Sequence, residues 1–119
     1  MTDVQVVEQD GQDMGLALTG WCEGTTLRII VGGELDISSG DDLTTAVEAL
    51  IEPGMDLVLD LDGLTFVDSA GVRVLMRIAD AAQRSHFSVR FVALDGAAIR
   101  RTAEALDATS LLPLVAPLT

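Results

Sequence analysis

Lysine, asparagine and tyrosine are absent from this sequence of 119 residues, and cysteine occurs once, as Cys22. A single cysteine cannot close an internal disulfide, which is typical of proteins in a reducing compartment. No apolar run approaches the length of a membrane-spanning helix, which is about 18 residues. The chain does not begin with a basic segment followed by an apolar one, as a signal peptide would. We therefore expect a cytoplasmic protein that does not cross a membrane.

Basic residues are also scarce, because seven arginines stand against 19 acidic residues and give a formal net charge of -12. So negative a protein repels nucleic-acid backbones and anionic lipid head groups. This charge disfavours nucleic acid and membrane surfaces as partners. Aromatic residues make up only 3% of the chain and hydrophobic residues 49%, so the sequence predicts a folded domain with an aliphatic core.

Hydrophobic patterning divides the chain into alternating strands and helices. Residues 1–13 predict an acidic lead-in without regular structure, with a short edge strand over residues 4–7 as the alternative. Residues 14–119 predict a single domain that opens with a β-hairpin across Gly24. The predicted strands are 16–23, 26–31, 56–61, 88–94 and a short last strand in 111–115, and the predicted helices are 41–52, 69–85 and 98–106.

This order of elements indicates parallel strands joined by right-handed helical crossovers. The predicted strands have one aliphatic face and one face that carries charged residues, including Arg28, Asp60 and Arg90. Helices are therefore expected mainly on one face of the sheet. The sequence predicts an α/β fold with a singly wound, mixed sheet of four to five strands and an N-terminal hairpin. A doubly wound nucleotide-binding fold would need two apolar faces.

Two loops are predicted beyond the carboxyl ends of neighbouring strands, at residues 33–39 and 63–71. In parallel α/β sheets functional groups gather at this edge, so we expect Asp36 and Ser69 to lie near each other. Ser69 starts the long helix and has two interpretations. It is either the N-cap, which its position alone favours, or a phosphoacceptor whose phosphate would meet free helical N–H groups. Asp36 and Asp68 would repel such a phosphate.

Other chemistries find less support in the sequence. Glu34, Asp36 and Asp68 carry carboxylates, but no histidine joins them, so we predict no metal ion. His86 is the single histidine, and no acid at a fixed spacing supports a serine–histidine catalytic pair. The glycines form neither a phosphate loop nor a dinucleotide fingerprint, so we predict no cofactor and no enzymatic activity.

Two sequence runs together resemble the STAS domain of bacterial anti-sigma-factor antagonists. The first run is Gly-Glu-Leu-Asp at 33–36, and the second is Leu-Thr-Phe-Val-Asp-Ser-Ala-Gly-Val at 64–72. The resemblance extends over about residues 16–115. It implies that an anti-sigma factor, itself a serine kinase, phosphorylates Ser69. It further implies that the unphosphorylated antagonist binds this kinase and frees the sigma factor, and that a metal-dependent serine phosphatase resets the switch.

STAS domains also occur in stress-signalling assemblies, transporters and lipid-transport complexes. The alternative function is therefore a constitutive scaffold subunit of such a complex, in which Ser69 is only a helix cap. Arg73 departs from the family pattern, because many relatives have a smaller residue there. The sequence leaves a homodimer open.

A partner-binding surface is predicted around the phosphoacceptor. Val72 and Met76 are expected to be exposed between the core stripe and the polar stripe of the long helix, with burial in the core as the alternative. Asp36 is expected to contribute to docking or phosphotransfer, with a local turn role as its alternative. The predicted partner-binding residues are Asp36, Asp68, Ser69, Ala70, Gly71, Val72, Arg73 and Met76.

Overall fold

In the described part of the chain, six strands form one mixed sheet and lie side by side in the order in which they occur along the sequence. The computed structural model describes residues 7–10, 16–93, 97–105 and 114–115. The strands are β1 (Val7–Asp10), β2 (Leu16–Glu23), β3 (Thr26–Leu35), β4 (Asp56–Val67), β5 (Ser88–Val92) and β6 (Leu114–Val115). The helices are α1 (Gly40–Leu50), α2 (Ser69–Ser85) and α3 (Ala97–Ala105).

The winding of the sheet confirms the predicted fold class. β1, β2 and β3 pair antiparallel, whereas β3, β4, β5 and β6 pair parallel, each with the next. Every crossover adds the next strand on the same side, as a singly wound sheet requires. The hairpin between β2 and β3 turns at Gly24, whose φ of 61° lies in the left-handed region that glycine adopts without strain.

The sheet has one strand more than the four to five that were predicted. Val7–Asp10, which belong to the predicted lead-in, pair with β2 in the register Val7 to Gly20 and Asp10 to Ala17. The short segment has too few alternating positions to be recognised as a strand from its pattern. The alternative prediction was an edge strand over residues 4–7, of which residues 4–6 lie outside the described residues.

β3 and β4 run further than predicted. They were expected to end at residues 31 and 61, but they end at Leu35 and Val67. Their pairing shifts register between Ile30 and Gly32 and again after Gly33, which are bulge-like irregularities. Gly32 pairs with Gly63, and a Cβ built on Gly63 would lie 3.3 Å from the Gly32 Cα. The glycines therefore allow the two backbones to approach, and they do not end the strands.

The core lies between one face of the sheet and the helices. Aliphatic side chains from β2, β3 and β4 pack there against α1 and α2, and Ile99 of α3 joins the same cluster. The opposite face carries exposed side chains, among them Arg28, Ile30 and Arg90. Among the described helices, none is both long enough and apolar enough to cross a membrane. Among the residues whose burial the structure describes, the largest fully buried side chains are those of Phe91, Leu16, Leu18, Leu27, Ile29, Leu35, Leu43, Leu57, Leu59, Leu61, Leu75 and Ile99.

β2 and α2 have the predicted bounds, and the described bounds of α1, β5 and α3 differ from the predicted ones by one or two residues. α1 ends at Leu50, and the backbone N–H of Ile51 closes it by donating to the Val47 carbonyl. β5 ends at Val92, and α3 spans Ala97–Ala105. The predicted residues 94, 106 and 111–113 of these last elements lie outside the described residues.

Candidate functional site

The two predicted loops meet at one edge of the sheet. Leu35 and Val67, the last residues of β3 and β4, are register partners, and the Asp68 N–H donates to the Leu35 carbonyl at 3.4 Å. Asp36 and Ser69 therefore follow directly from two strand ends that are hydrogen-bonded to each other. The structure thus brings these two residues to the same edge, as the topology predicts.

Asp68, and not Ser69, is the N-cap of α2. Its backbone is extended, and its Oδ1 accepts a hydrogen bond of 2.8 Å from the Gly71 N–H. Ser69 is consequently the first helical residue, and the interpretation of Ser69 as the cap is wrong. Both residue types are favoured caps, and the extended backbone of Asp68 decides between them.

The hydroxyl of Ser69 differs from the other hydroxyls at this edge. The Ser38 hydroxyl donates to Asp36 Oδ1 at 2.8 Å, and the Thr65 hydroxyl donates to the Gly33 carbonyl at 3.1 Å. Ser39 is fully buried, and its hydroxyl lies 3.0 Å from the Glu34 carbonyl. Ser69 is half-buried, and within the described residues its hydroxyl makes no hydrogen bond to the protein.

Gly71 fixes how closely the start of α2 approaches the sheet. A Cβ built on Gly71 would lie 2.5 Å from the Leu35 carbonyl oxygen and 3.1 Å from Cγ1 of Val67. No side chain fits this space, so glycine allows the helix to begin directly against the ends of β3 and β4. Gly71 is itself buried, and it therefore shapes the predicted partner surface through packing.

Asp36 organises the loop that follows β3. Its Oδ1 accepts hydrogen bonds from the N–H groups of Ser38 and Ser39 at 3.0 and 3.1 Å and from the Ser38 hydroxyl. The hydrogen bond from the Ser38 hydroxyl is the main cause that holds the pKa of Asp36 below its ordinary value, because it stabilises the ionised carboxylate. The local turn role proposed as the alternative for Asp36 is therefore present in the structure.

Ser39 and Gly40 connect this loop to the rest of the domain. A serine just before the predicted helix 41–52 is a plausible N-cap, and Ser39 is the N-cap residue of α1, although its side chain makes no capping hydrogen bond. The Asp36 N–H donates to Ser39 Oγ at 3.0 Å, which ties the buried hydroxyl into the turn. A Cβ on Gly40 would lie 2.5 Å from Cγ2 of Val74, so α1 begins in contact with α2.

Val72 does not belong to the exposed surface that was predicted for it. It is 1% exposed and lies in the core cluster, whereas Met76 is half-buried and packs against that cluster from outside. The physical reason is that α2 contacts α1, α3 and the sheet, so its buried arc is wider than a single core stripe. Ala70 is half-buried and Arg73 is exposed.

Two exposed apolar side chains at the same edge were missed. Phe66 is 47% exposed and pairs across the strands with Glu34, and Ile37 in the following loop is 80% exposed. Isolated apolar exposure is common, but these two side chains flank the polar groups of this edge. Among the described residues, no cluster of three or more potential metal ligands is present.

α3 is anchored to the same strand end. The Thr102 hydroxyl donates to the carbonyl oxygen of Val67 at 2.8 Å, one residue before the N-cap of α2. The Arg100 guanidinium donates to the Ala93 carbonyl oxygen from both Nε and a terminal nitrogen. The residues that precede Ser69 are therefore held by β3, by the cap and by α3.

The singly wound sheet and its polar edge define a small α/β domain with a serine at the start of its long helix. A protein-family model described as Mlab, STAS domain, matches residues 22–114, and the chain therefore belongs to the STAS domain family. None of the curated proteins matches the chain.

Several solved structures share this fold, among them a bacterial regulator and a membrane transporter. An anti-sigma factor antagonist from Mycobacterium paratuberculosis is 23% identical, with a TM-score of 0.66 over 98% of this chain and 88% of that chain. The murine anion transporter Slc26a9, in its inward-facing state, is 9% identical, with a TM-score of 0.64 over 99% of this chain. The match covers 21% of the transporter chain.

Proposed function

We propose that this protein is an anti-sigma-factor antagonist that acts by partner switching in the cytoplasm and thereby regulates transcription. Its unphosphorylated form binds an anti-sigma factor that is a serine kinase, and the sigma factor is released. Phosphorylation of Ser69 weakens this complex, and a metal-dependent serine phosphatase removes the phosphate. The protein itself catalyses no reaction in this cycle.

One observation carries the proposal. Among the described hydroxyls at this edge, that of Ser69 is the one whose proton and lone pairs are not engaged by the protein. Ser38, Ser39 and Thr65 are occupied by hydrogen bonds within the edge. A kinase acting on this edge would therefore meet Ser69 without first breaking a hydrogen bond.

The phosphotransfer step follows from ordinary chemistry. The Ser69 oxygen attacks the γ-phosphorus of ATP bound to the kinase, the bond from that phosphorus to ADP breaks, and the hydroxyl proton passes to a base of the kinase. The phosphoserine carries about -1.5 to -2 charges beside Asp36 and Asp68. We expect this added charge to weaken binding to the partner. A loss of about 1.4 kcal/mol of binding free energy already lowers the affinity tenfold.

The proposed partner surface consists of groups at and beyond this edge. Ser69, Ala70, Arg73 and Met76 present the first turns of α2, while Asp36, Asp68 and Gly71 hold the backbone that positions them. Exposed Ile37 and Phe66 add apolar area beside the phosphoacceptor.

Intact-mass analysis after incubation with candidate anti-sigma kinases and ATP tests the proposal. We expect a gain of one phosphate that maps to Ser69 and is lost in the Ser69→Ala variant, which still binds the kinase. Ser69→Asp should bind more weakly, and the phosphorylated protein should bind most weakly of all. A main site at Ser38, Ser39 or Thr65 would exclude the model, as would equal affinities of the three forms.

The scaffold function is the second candidate, and the fold shared with the Slc26a9 chain supports it. In that case the domain would bind its assembly constitutively. If the scaffold function is correct, no candidate kinase should add a phosphate to the protein, and substitution of Ser69 should leave the assembly unchanged.

A further inference from the structure

Ser69, Arg73 and Arg77 follow one another at four-residue spacing on α2. Residues four apart on a helix are neighbours on its surface, with Cβ atoms about 5–6 Å apart. Ser69 is half-buried, and both arginines are exposed. The side chain of Arg73 therefore starts one helical turn beyond that of Ser69, on the same side of the helix.

Arg73 has no acidic neighbour at helical spacing. The residues three and four positions away are Ser69, Ala70, Met76 and Arg77. Within the part of the chain that the structure describes, Arg73 forms neither an ion pair nor a hydrogen bond through its side chain. Arg84 provides the contrast, because its guanidinium pairs with Asp80 at 2.7 Å over the same four-residue spacing.

The neighbourhood of Arg73 also contains a like charge. Arg77 lies four residues on, and two cations at this spacing repel each other by a few tenths of a kcal/mol. Arg77 has Asp80 three residues on, whereas Arg73 has no acid at helical spacing although the formal net charge of the protein is -12. The position four residues before Arg73 is the one place on this side of α2 where a modification would add an anion.

We propose that the phosphate on Ser69 is paired by Arg73 of the same helix, so that phosphorylation occupies this arginine. The inference rests on the proposed function for the modification itself. An anion four residues before a cation is the favourable orientation on a helix, and a guanidinium binds a phosphate with two parallel hydrogen bonds. Asp68 and Arg73, both of which the structure describes, form no ion pair with each other, and Asp68 Oδ1 accepts a hydrogen bond from the Gly71 N–H.

This pair changes what the switch presents to the kinase. In the unphosphorylated protein, the exposed Arg73 is available to an acidic group of the partner. In the phosphorylated protein, the same guanidinium is engaged by its own helix. Modification therefore adds an anion to the docking surface and withdraws a cation from it, and a single phosphate produces both effects.

The test uses protein with phosphoserine installed genetically at position 69, so that no kinase is needed. Denaturant unfolding is measured with and without the phosphate in the natural sequence, in Arg73→Gln and in Arg77→Gln. The quantity compared is the change that phosphorylation makes in the unfolding equilibrium constant, whatever its sign. Arg77 is the matched control, since it is also exposed but lies about two turns from Ser69.

We expect the ratio of the unfolding constants with and without phosphate to be about threefold higher in Arg73→Gln than in the natural sequence. This is the size expected for loss of an exposed ion pair. Arg77→Gln should match the natural sequence within error, and added salt should shrink the Arg73 effect. An equal phosphate effect in all three proteins would overturn the pair. Failure of every kinase to modify Ser69 would instead overturn the proposed function and leave this measurement unaffected.

Discussion

Gly71 of α2 packs against the carbonyl group of Leu35 so closely that a Cβ on Gly71 would lie 2.5 Å from that oxygen. We expect Gly71→Ala to push the start of α2 away from β3 and to cost about 1–3 kcal/mol of unfolding free energy, as overpacking does. Gly32→Ala is the control, because a Cβ there would lie 3.7 Å from the Gly63 carbonyl oxygen, an ordinary contact. Denaturant unfolding of both variants checks the prediction, and equal stabilities would contradict it.

Removing the Asp36 carboxylate should loosen the loop after β3. Asp36→Ala leaves the N–H groups of Ser38 and Ser39 without their acceptor, and we expect a loss of roughly 1–2 kcal/mol. Asp36→Asn keeps one oxygen acceptor and should lose less. Thermal unfolding ranks the three proteins, and an alanine variant as stable as the natural sequence would show that the turn does not depend on these hydrogen bonds.

The lowered pKa of Asp36 makes part of the stability depend on pH. Because the folded pKa lies below the ordinary value of 3.8, the carboxylate stabilises the fold fully above that value. This contribution is lost as the pH falls through the folded pKa. The difference in unfolding free energy between the natural sequence and Asp36→Asn should therefore shrink on acidification. A difference that is constant or grows towards low pH would be inconsistent with this assignment.

Val72 should behave as a core residue. Since it is 1% exposed, Val72→Ala removes buried methyl groups and should cost roughly 2 kcal/mol. Its neighbour Arg73 is exposed, and Arg73→Ala should change stability by no more than about 0.5 kcal/mol. Urea unfolding distinguishes the two, and a Val72→Ala variant of natural stability would return Val72 to the surface.

Phe66 and Ile37 should contribute to partner affinity and not to stability. Exposed apolar side chains beside a docking site are typical anchors, so Phe66→Ser and Ile37→Ser should each weaken kinase binding by about tenfold. Ile30→Thr is a matched control, since Ile30 is 41% exposed but lies further back on β3. Calorimetric titration with the kinase measures all three, and an equal loss in the Ile30 variant would rule out a local role.

The order of the elements and the winding of the sheet were predictable, because strand faces with one charged side leave helices only one place to pack. The proximity of Asp36 and Ser69 followed from the same topology. The extension of β3 and β4 could not be predicted, because glycines such as Gly32 and Gly63 indicate a turn when each is considered alone. Only the pairing of the two strands shows that the glycines face each other across a ladder.

Local choices at the site were harder to predict, since they depend on small differences in backbone geometry. Asp68 and Ser69 are adjacent and are both good caps, so the sequence could not tell which one ends the non-helical backbone. The burial of Val72 depends on α1 and α3 packing beside α2. A helical projection of α2 alone contains no information about those neighbours.

The anchoring of Ser69 has a consequence for the proposed phosphorylation switch. The residues before Ser69 are held by the pairing of β4 with β3, by the Asp68 cap and by the Thr102 hydroxyl. A phosphate on Ser69 would therefore be attached to a backbone that these contacts hold in place. We therefore expect the two forms of the protein to share one backbone and to differ in surface chemistry. Substitutions of the side chains at this edge of the sheet could then change which partner binds, while the fold stays the same.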